Sequence, residues 1–413
     1  MESRHRGARA VLLVGILLGV GNLLYVLAAS PVHVGIDYRV YHLAGSVALE
    51  GGNFYRAVPE GLAGYFHYVY PPITVFGFVP LALLGSETVG FAVHTVLTVL
   101  VGLAAVWLLV RYIERVSDTR LPWLDRGLIA AFVVGSVHSM SSLFFGQVNH
   151  HLVAALVVGF LALDADRETL AGVAFGFAAF LKVFPAAVGL WLLRRRAWRA
   201  IAAAVSFAAA GFVAGIVVFG PDLTVAYVER ALVPRLSTGE FAGGLDPGAT
   251  YLTIRRPISV LLPTVDPALY SVLAGLVLAP PVAYLYRTIE DREDRLVSIM
   301  GTMVAILLFF PSYPLYFVIL YFPLIPLLYL LAGGRPRQLL LAGALVSSIA
   351  IRYDDLQTAF ALLGETPESL LTVLRPILTF VTPGLLGTLL ILAACLLQRR
   401  RKHGPQFRFR RLA

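Results

Sequence analysis

The sequence predicts an all-α polytopic membrane protein with about 12 transmembrane helices, and three observations carry that reading. Hydrophobic residues make up 58% of the 413-residue chain and charged residues only 14%, against about 45–50% and about 25% in a typical soluble domain. A soluble particle has nowhere to hide so much apolar surface, whereas a bilayer acts as its solvent. The apolar residues also fall in long runs separated by short joints, and the joints hold much of the basic charge.

The formal net charge of +9 is therefore read as topology. Arg4, Arg6 and Arg9, then Arg194, Arg195, Arg196 and Arg199, then Arg399, Arg400, Arg401 and Lys402 mark cytoplasmic ends of spans, with anionic membrane lipids as neighbours. No nucleic-acid partner is expected, since no recognition motif accompanies the charge. The single cysteine, Cys395, excludes an intramolecular disulfide and a cysteine-built metal site.

The elements follow in order. Residues 10–30 form a run long for a signal peptide and are taken as a retained first span running from the cytoplasm outward. Further spans are expected near 88–110, 127–145, 148–163, 169–181, 184–194, 197–219, 267–286, 296–311, 313–331, 338–351 and 370–397. With both termini inside, every basic joint falls on the cytoplasmic side. Segments 169–181 and 184–194 are short for a crossing of about 20 residues and meet at Lys182-Val183-Phe184-Pro185, so half-spans or a broken hairpin are expected.

Residues 72–84, opened by Pro71-Pro72, read as an interfacial or re-entrant helix. The whole of 1–413 reads as one integral membrane domain, with outer loops at 31–85, 221–266 and 352–369. Gly172–Gly176 and Gly211–Gly215 have the spacing of close helix packing.

Chemistry is expected in the first outer loop. Asp37 follows the first span by about two helical turns, which sets it near the headgroups. Two readings stay open from the residues alone: a carboxylate facing substrate, or a helix cap or partner for Arg39. The tyrosines of Tyr38-Arg39-Val40-Tyr41 and Tyr68-Val69-Tyr70 suit interfacial anchoring as well as recognition.

The order Asp37-Tyr38-x-x-Tyr41, Gly52-Asn53-x-Tyr55 and Tyr70-Pro71-Pro72, ahead of an apolar helix ending in Pro80-Leu81, resembles polyprenyl-phosphate-sugar-dependent glycosyltransferases of the GT-C membrane fold. Within them it is most similar to glycosyltransferase family 87, whose alpha-mannosyltransferases extend phosphatidylinositol mannosides. Phe145-Gly146-Gln147-Val148-Asn149 and Leu181-Lys182-Val183-Phe184-Pro185 add to the likeness, which runs from the first span to about Phe219.

The resemblance implies a donor sugar, with mannose the family's leaning, on a polyprenyl or dolichyl monophosphate. It implies a hydroxyl acceptor on a lipid or glycan, and a reaction on the extracytoplasmic face. An acid in the first outer loop serves the family as general base, and Asp37 matches it. One base without a carboxylate nucleophile implies single displacement with inversion.

Lys182, at the break between short segments, and the outer pair Arg255-Arg256 are the candidate cations for the donor phosphate. Tyr38, Tyr41, His67, Tyr70, Gln147 and Asn149 are the candidate substrate contacts. Each has a bland counterpart: snorkelling or pairing for Lys182, solvation for the arginines, interfacial hydrogen bonds for the rest.

No metal or cofactor is expected. Asp164-Ala165-Asp166 has a DxD form but sits in a tight turn without a nucleotide-binding domain, and His150-His151 are adjacent and point to different helix faces. Two other classes compete: a transporter or flippase of lipid-linked sugars, and a ligase or polymerase of preassembled glycans. A transporter would favour ionisable pairs near mid-membrane and repeated halves; the sequence displays one lysine at that depth and no clear duplication.

Overall fold

The computed structural model describes residues 2–29, 31–62, 66–236, 239–362, 364 and 367–404. Parts of all three expected outer loops (63–65, 237–238, 363 and 365–366) lie outside the described residues. Every regular element among the described residues is helical.

In order these are α1 (Glu2–Ala29), α2 (Ile36–Leu49), α3 (Val79–Ala82), α4 (Glu87–Ser117), α5 (Trp123–Gly135), α6 (Val137–Phe145), α7 (Asn149–Asp164), α8 (Glu168–Leu181), α9 (Val188–Arg194) and α10 (Trp198–Phe219). The second half holds α11 (Pro221–Ala226), α12 (Arg255–Leu261), α13 (Leu269–Tyr286), α14 (Arg292–Phe309), α15 (Tyr321–Leu330), α16 (Arg335–Ser347), α17 (Tyr353–Leu362), α18 (Glu368–Phe380) and α19 (Pro383–His403).

Five helices are long and apolar enough to cross a bilayer: His5–Ala29 within α1, then α4, α10, α13 and α19. α5 and α6 make a sixth when taken together, although they bend by 45° at Ser136. This set fits a polytopic membrane protein. α7, α8 and the segments Phe184–Arg194 and Pro314–Leu330 are apolar but shorter.

One expected span is corrected. Residues 370–397 are not a single helix, because α18 ends at Phe380 and α19 begins at Pro383. Pro383 lacks the N–H a continuing helix would need, and the Thr382 side chain caps the new helix by accepting from the Leu385 N–H.

Burial is inverted relative to a soluble protein on the outside of the bundle and ordinary inside it. α10 leaves Val205, Val213 and Val217 exposed, apolar surface that lipid covers without cost. The centre is the stretch from Phe317 to Leu328, buried throughout and packed on α14 and α7. Both GxxxG stretches do serve close approach. A Cβ on Gly172 would stand 2.1 Å from the Ala200 carbonyl oxygen of α10, and one on Gly211 would stand 2.6 Å from the Phe180 ring.

The basic joints are tied to one another at one end of the bundle. Arg9 and His5 bond Asp125, which also accepts from Tyr329. Arg126 pairs with Glu114, Arg295 with Asp164, and Lys402 with Asp294. Asp37 follows the far end of α1, a helix of 28 residues and so about 42 Å long. The acid and the basic joints therefore lie at opposite ends.

Candidate active site

The site is assembled by a docking of the first outer loop on the end of α6. Gly35, in the left-handed region at φ 66°, caps α2 and donates its N–H to the Phe144 carbonyl over 2.7 Å. Gly146, also left-handed at φ 77°, terminates α6. No side chain fits there, because a Cβ would stand 2.6 Å from the Cβ of Tyr38. The Gly146 carbonyl accepts from His94 Nε2 over 3.0 Å, which closes the joint from α4. Two glycines with positive φ thus let α2 and α6 meet end to end.

That joint sets Asp37, in the first turn of α2, beside Gln147, the first residue past the cap of α6. Gln147 Nε2 donates to Asp37 Oδ2 over 2.6 Å, and Gln147 Oε1 accepts from Lys182 Nζ over 2.9 Å. The amide orientation is settled by its neighbours, since an ammonium only donates and a carboxylate only accepts. Lys182 ends α8 in extended backbone, two residues after Phe180 and three before Pro185, which stops the helix from continuing. Its ammonium stands 4.1 Å above the Tyr316 ring, a cation–π contact that desolvation strengthens.

Burial pushes the Asp37 carboxyl above its ordinary range, while the Gln147 bond and the Lys182 charge pull the other way. A carboxylate held above its ordinary value is a stronger base when ionised. Among the described residues, Asp37 Oδ1 has no partner of its own.

An aromatic wall encloses the array. The Tyr41 and Tyr70 hydroxyls share a 2.8 Å hydrogen bond, and Tyr55 donates to the Tyr70 carbonyl over 2.6 Å. Tyr41 stacks on Phe78 at 4.5 Å. The π-helical turn Tyr227–Leu232 packs on this wall from the second outer loop.

The other expected contacts separate into groups. Tyr38 is fully buried among Phe91, His94 and His42, and its hydroxyl has no hydrogen-bond partner among the described residues. His67 bonds the Arg230 carbonyl over 2.9 Å and ties the first two outer loops together. Asn149 is fully buried, and neither end of its amide has a hydrogen-bond partner among the described residues.

The two arginines make other contacts. Arg256 donates to the carbonyls of Leu378, Thr379 and Ala249, which fastens α12 to α18. Arg255 lies over the Phe309 ring at 5.2 Å. Asp164 is held by Arg295 at 2.6 Å, and Asp355 by Arg352 at 2.6 Å.

One residue escaped the sequence reading. Arg235, just after the π-helical turn, has its charge felt at both Lys182 and Tyr316. It donates to the Ala231 carbonyl over 2.7 Å. Its local sequence does not set it apart from the other arginines of the second outer loop.

Comparison with known proteins agrees with this architecture. The family model for glycosyltransferase family 87 matches residues 68–311, more than half of the chain. The chain belongs to glycosyltransferase family 87. The match takes in Tyr70, Gln147, Asn149, Lys182, Arg255 and Arg256, begins after Asp37, and continues well past Phe219.

Two relatives from Mycolicibacterium smegmatis are similar over part of the chain. One is a polyprenol-phosphate-mannose-dependent alpha-(1-2)-phosphatidylinositol pentamannoside mannosyltransferase, 33% identical over 43% of this chain and 42% of its own length. The other is a polyprenol-phosphate-mannose-dependent alpha-(1-2)-phosphatidylinositol mannoside mannosyltransferase, 28% identical over 48% of each chain. A protein of the latter description from Mycobacterium tuberculosis is 30% identical over 43% of this chain and 45% of its own length. The chain spans less than half the length of the curated relatives it matches.

Proposed function

We propose that this protein is a membrane glycosyltransferase that moves a sugar, mannose by analogy with the named relatives, from a polyprenyl-phosphate donor to a hydroxyl of a lipid or glycan acceptor. Asp37 Oδ1 takes the proton as the acceptor oxygen attacks the anomeric carbon. The bond from that carbon to the phosphate oxygen breaks, and the lipid phosphate departs with the electron pair. Lys182 balances the charge gathering there. One carboxylate acting as base, with no second carboxylate as nucleophile, corresponds to single displacement with inversion.

The observation that carries the reading is the array itself: an acid with a free oxygen and an ammonium, both bound to the same amide of Gln147. Its setting supports an extracytoplasmic site. The basic joints gather at the opposite end of the bundle, where the positive-inside tendency places the cytoplasm. Twelve crossings with both termini cytoplasmic accommodate the five long helices, the bent pair, the four shorter apolar segments and α14 and α16.

Purified protein in nanodiscs, given polyprenyl-phosphate with labelled mannose and a phosphatidylinositol mannoside, tests this. Label transferred to the acceptor in an inverted linkage supports the reading. The Asp37–Lys182 pairing also suits a transporter of lipid-linked sugar. Label carried across a vesicle wall with no new glycoside would establish that reading instead.

A further inference from the structure

The amide of Gln147 is engaged at both ends, its Nε2 donating to Asp37 and its Oε1 accepting from Lys182, so it bridges the two charged groups. Its position is also costly to obtain: it depends on Gly146 in the left-handed region, on the Gln147 N–H bonding the Ser142 carbonyl over 2.8 Å, and on Gly35 docked against Phe144.

Without a spacer, a carboxylate and an ammonium facing each other in such a poorly hydrated place would close into direct contact. Coulomb attraction varies inversely with distance and grows as the dielectric falls. Such a pair would neutralise itself. The carboxylate would lose basicity, and the ammonium would be withdrawn from an incoming phosphate.

We propose that Gln147 is a positioning residue that holds Asp37 and Lys182 one amide apart, keeping the acid available to the acceptor hydroxyl and the cation available to the donor phosphate. The inference rests on the assignment of Asp37 and Lys182 made above. It gives each end of the amide a separate task. The Nε2 bond fixes Asp37 Oδ2, so that Oδ1 is the oxygen presented to the acceptor. The Oε1 bond takes one ammonium hydrogen and the Tyr316 face receives the cation, which leaves another N–H direction open.

The titratable groups facing the array are few. Tyr41 and Tyr70 come from the first outer loop, Tyr316 from the turn before α15, and Arg235 from the second outer loop.

The test uses the full chain in nanodiscs, with Gln147→Glu and Gln147→Met assayed for donor KM, acceptor KM and the pH profile of kcat/KM. In Gln147→Glu a second carboxylate faces Asp37, so the acidic limb should move to higher pH by on the order of one unit. Lys182 should pair with the new acid, so donor KM should rise. In Gln147→Met both bonds are lost, and donor KM should rise while kcat falls. Acceptor KM should stay in place in both variants.

An acceptor KM that rises while the acidic limb stays fixed would make Gln147 a sugar contact and overturn the inference. If Gln147→Glu fails to fold, the KM split of Gln147→Met decides alone. Loss of transfer in Asp37→Asn together with unmoved Gln147 variants sinks only this inference, whereas full transfer in Asp37→Asn sinks the assignment beneath it.

Discussion

Gly146 lies flat against Tyr38: a methyl group on its Cα would stand 2.6 Å from the Tyr38 Cβ and 3.2 Å from the Tyr38 backbone nitrogen. The nearest atom, the Tyr38 Cβ, is bonded directly to the Tyr38 backbone and cannot swing aside. Gly146→Ala should therefore separate α2 from α6, and should also strain a backbone at φ 77°. A cost of about 1–3 kcal/mol is expected. It should appear as a lowered thermal midpoint together with lost transfer, whereas Gly127→Ala, on an open helix face, should change neither.

Asp37→Asn keeps shape and removes the base. Transfer should fall by about 10²–10⁴-fold, the usual contribution of general-base catalysis. The fold should not suffer. Because burial raises the Asp37 pKa in the folded protein, the ionised form is disfavoured there. Stability is therefore lost as pH rises from the ordinary carboxylate value through the raised folded one. At neutral pH the asparagine variant should melt no lower than the parent. A lower melting point with intact transfer would reassign Asp37 as a structural residue.

The same shift sets the pH dependence of the reaction. The base works ionised, so kcat/KM should drop as pH falls through the Asp37 pKa, with a midpoint above the ordinary value of about 3.9. A profile flat to well below that value would remove Asp37 from the proton transfer.

Lys182 and Arg256 should fail in different ways. Lys182→Met should raise donor KM and slow departure of the lipid phosphate while the protein stays folded. Arg256→Met leaves the carbonyls of Leu378, Thr379 and Ala249 without their donor. An unsatisfied buried group costs about 1–3 kcal/mol, so this variant should lose thermal stability. Donor titrations and melting curves on both variants separate the roles.

Topology can be read chemically. In a Cys395→Ser background, cysteines at Glu50 and Arg335, both exposed, should react with an impermeant reagent from opposite faces of sealed vesicles. Labelling from the same face would mean an odd error in the number of crossings.

Composition and the placement of arginines determined the membrane class, the all-helical fold and most helix positions, because lipid demands long apolar runs and each run satisfies its own backbone. The family was legible too, since Asp37, Tyr70, Gln147 and Lys182 sit in short local patterns. Local patterns also flagged Gly172–Gly176 as a packing stripe, and the break at Lys182, where proline ends a helix.

What the tertiary structure decided was which flagged residues meet. Asp37 and Gln147 are 110 positions apart, and Gln147 and Lys182 are 35 apart. Nothing local dictates that their helix ends converge; two left-handed glycines and the His94 bond bring that about. The same holds in reverse for Arg256, Tyr38 and Arg235. Sequence offered the first as a candidate phosphate cation and the second as a candidate substrate contact, and passed over the third; the fold sets the first on backbone carbonyls and the second among rings. A side chain's polarity is encoded in the residue, but whether it meets a carbonyl, a ring or a substrate depends on what distant segments fold against it.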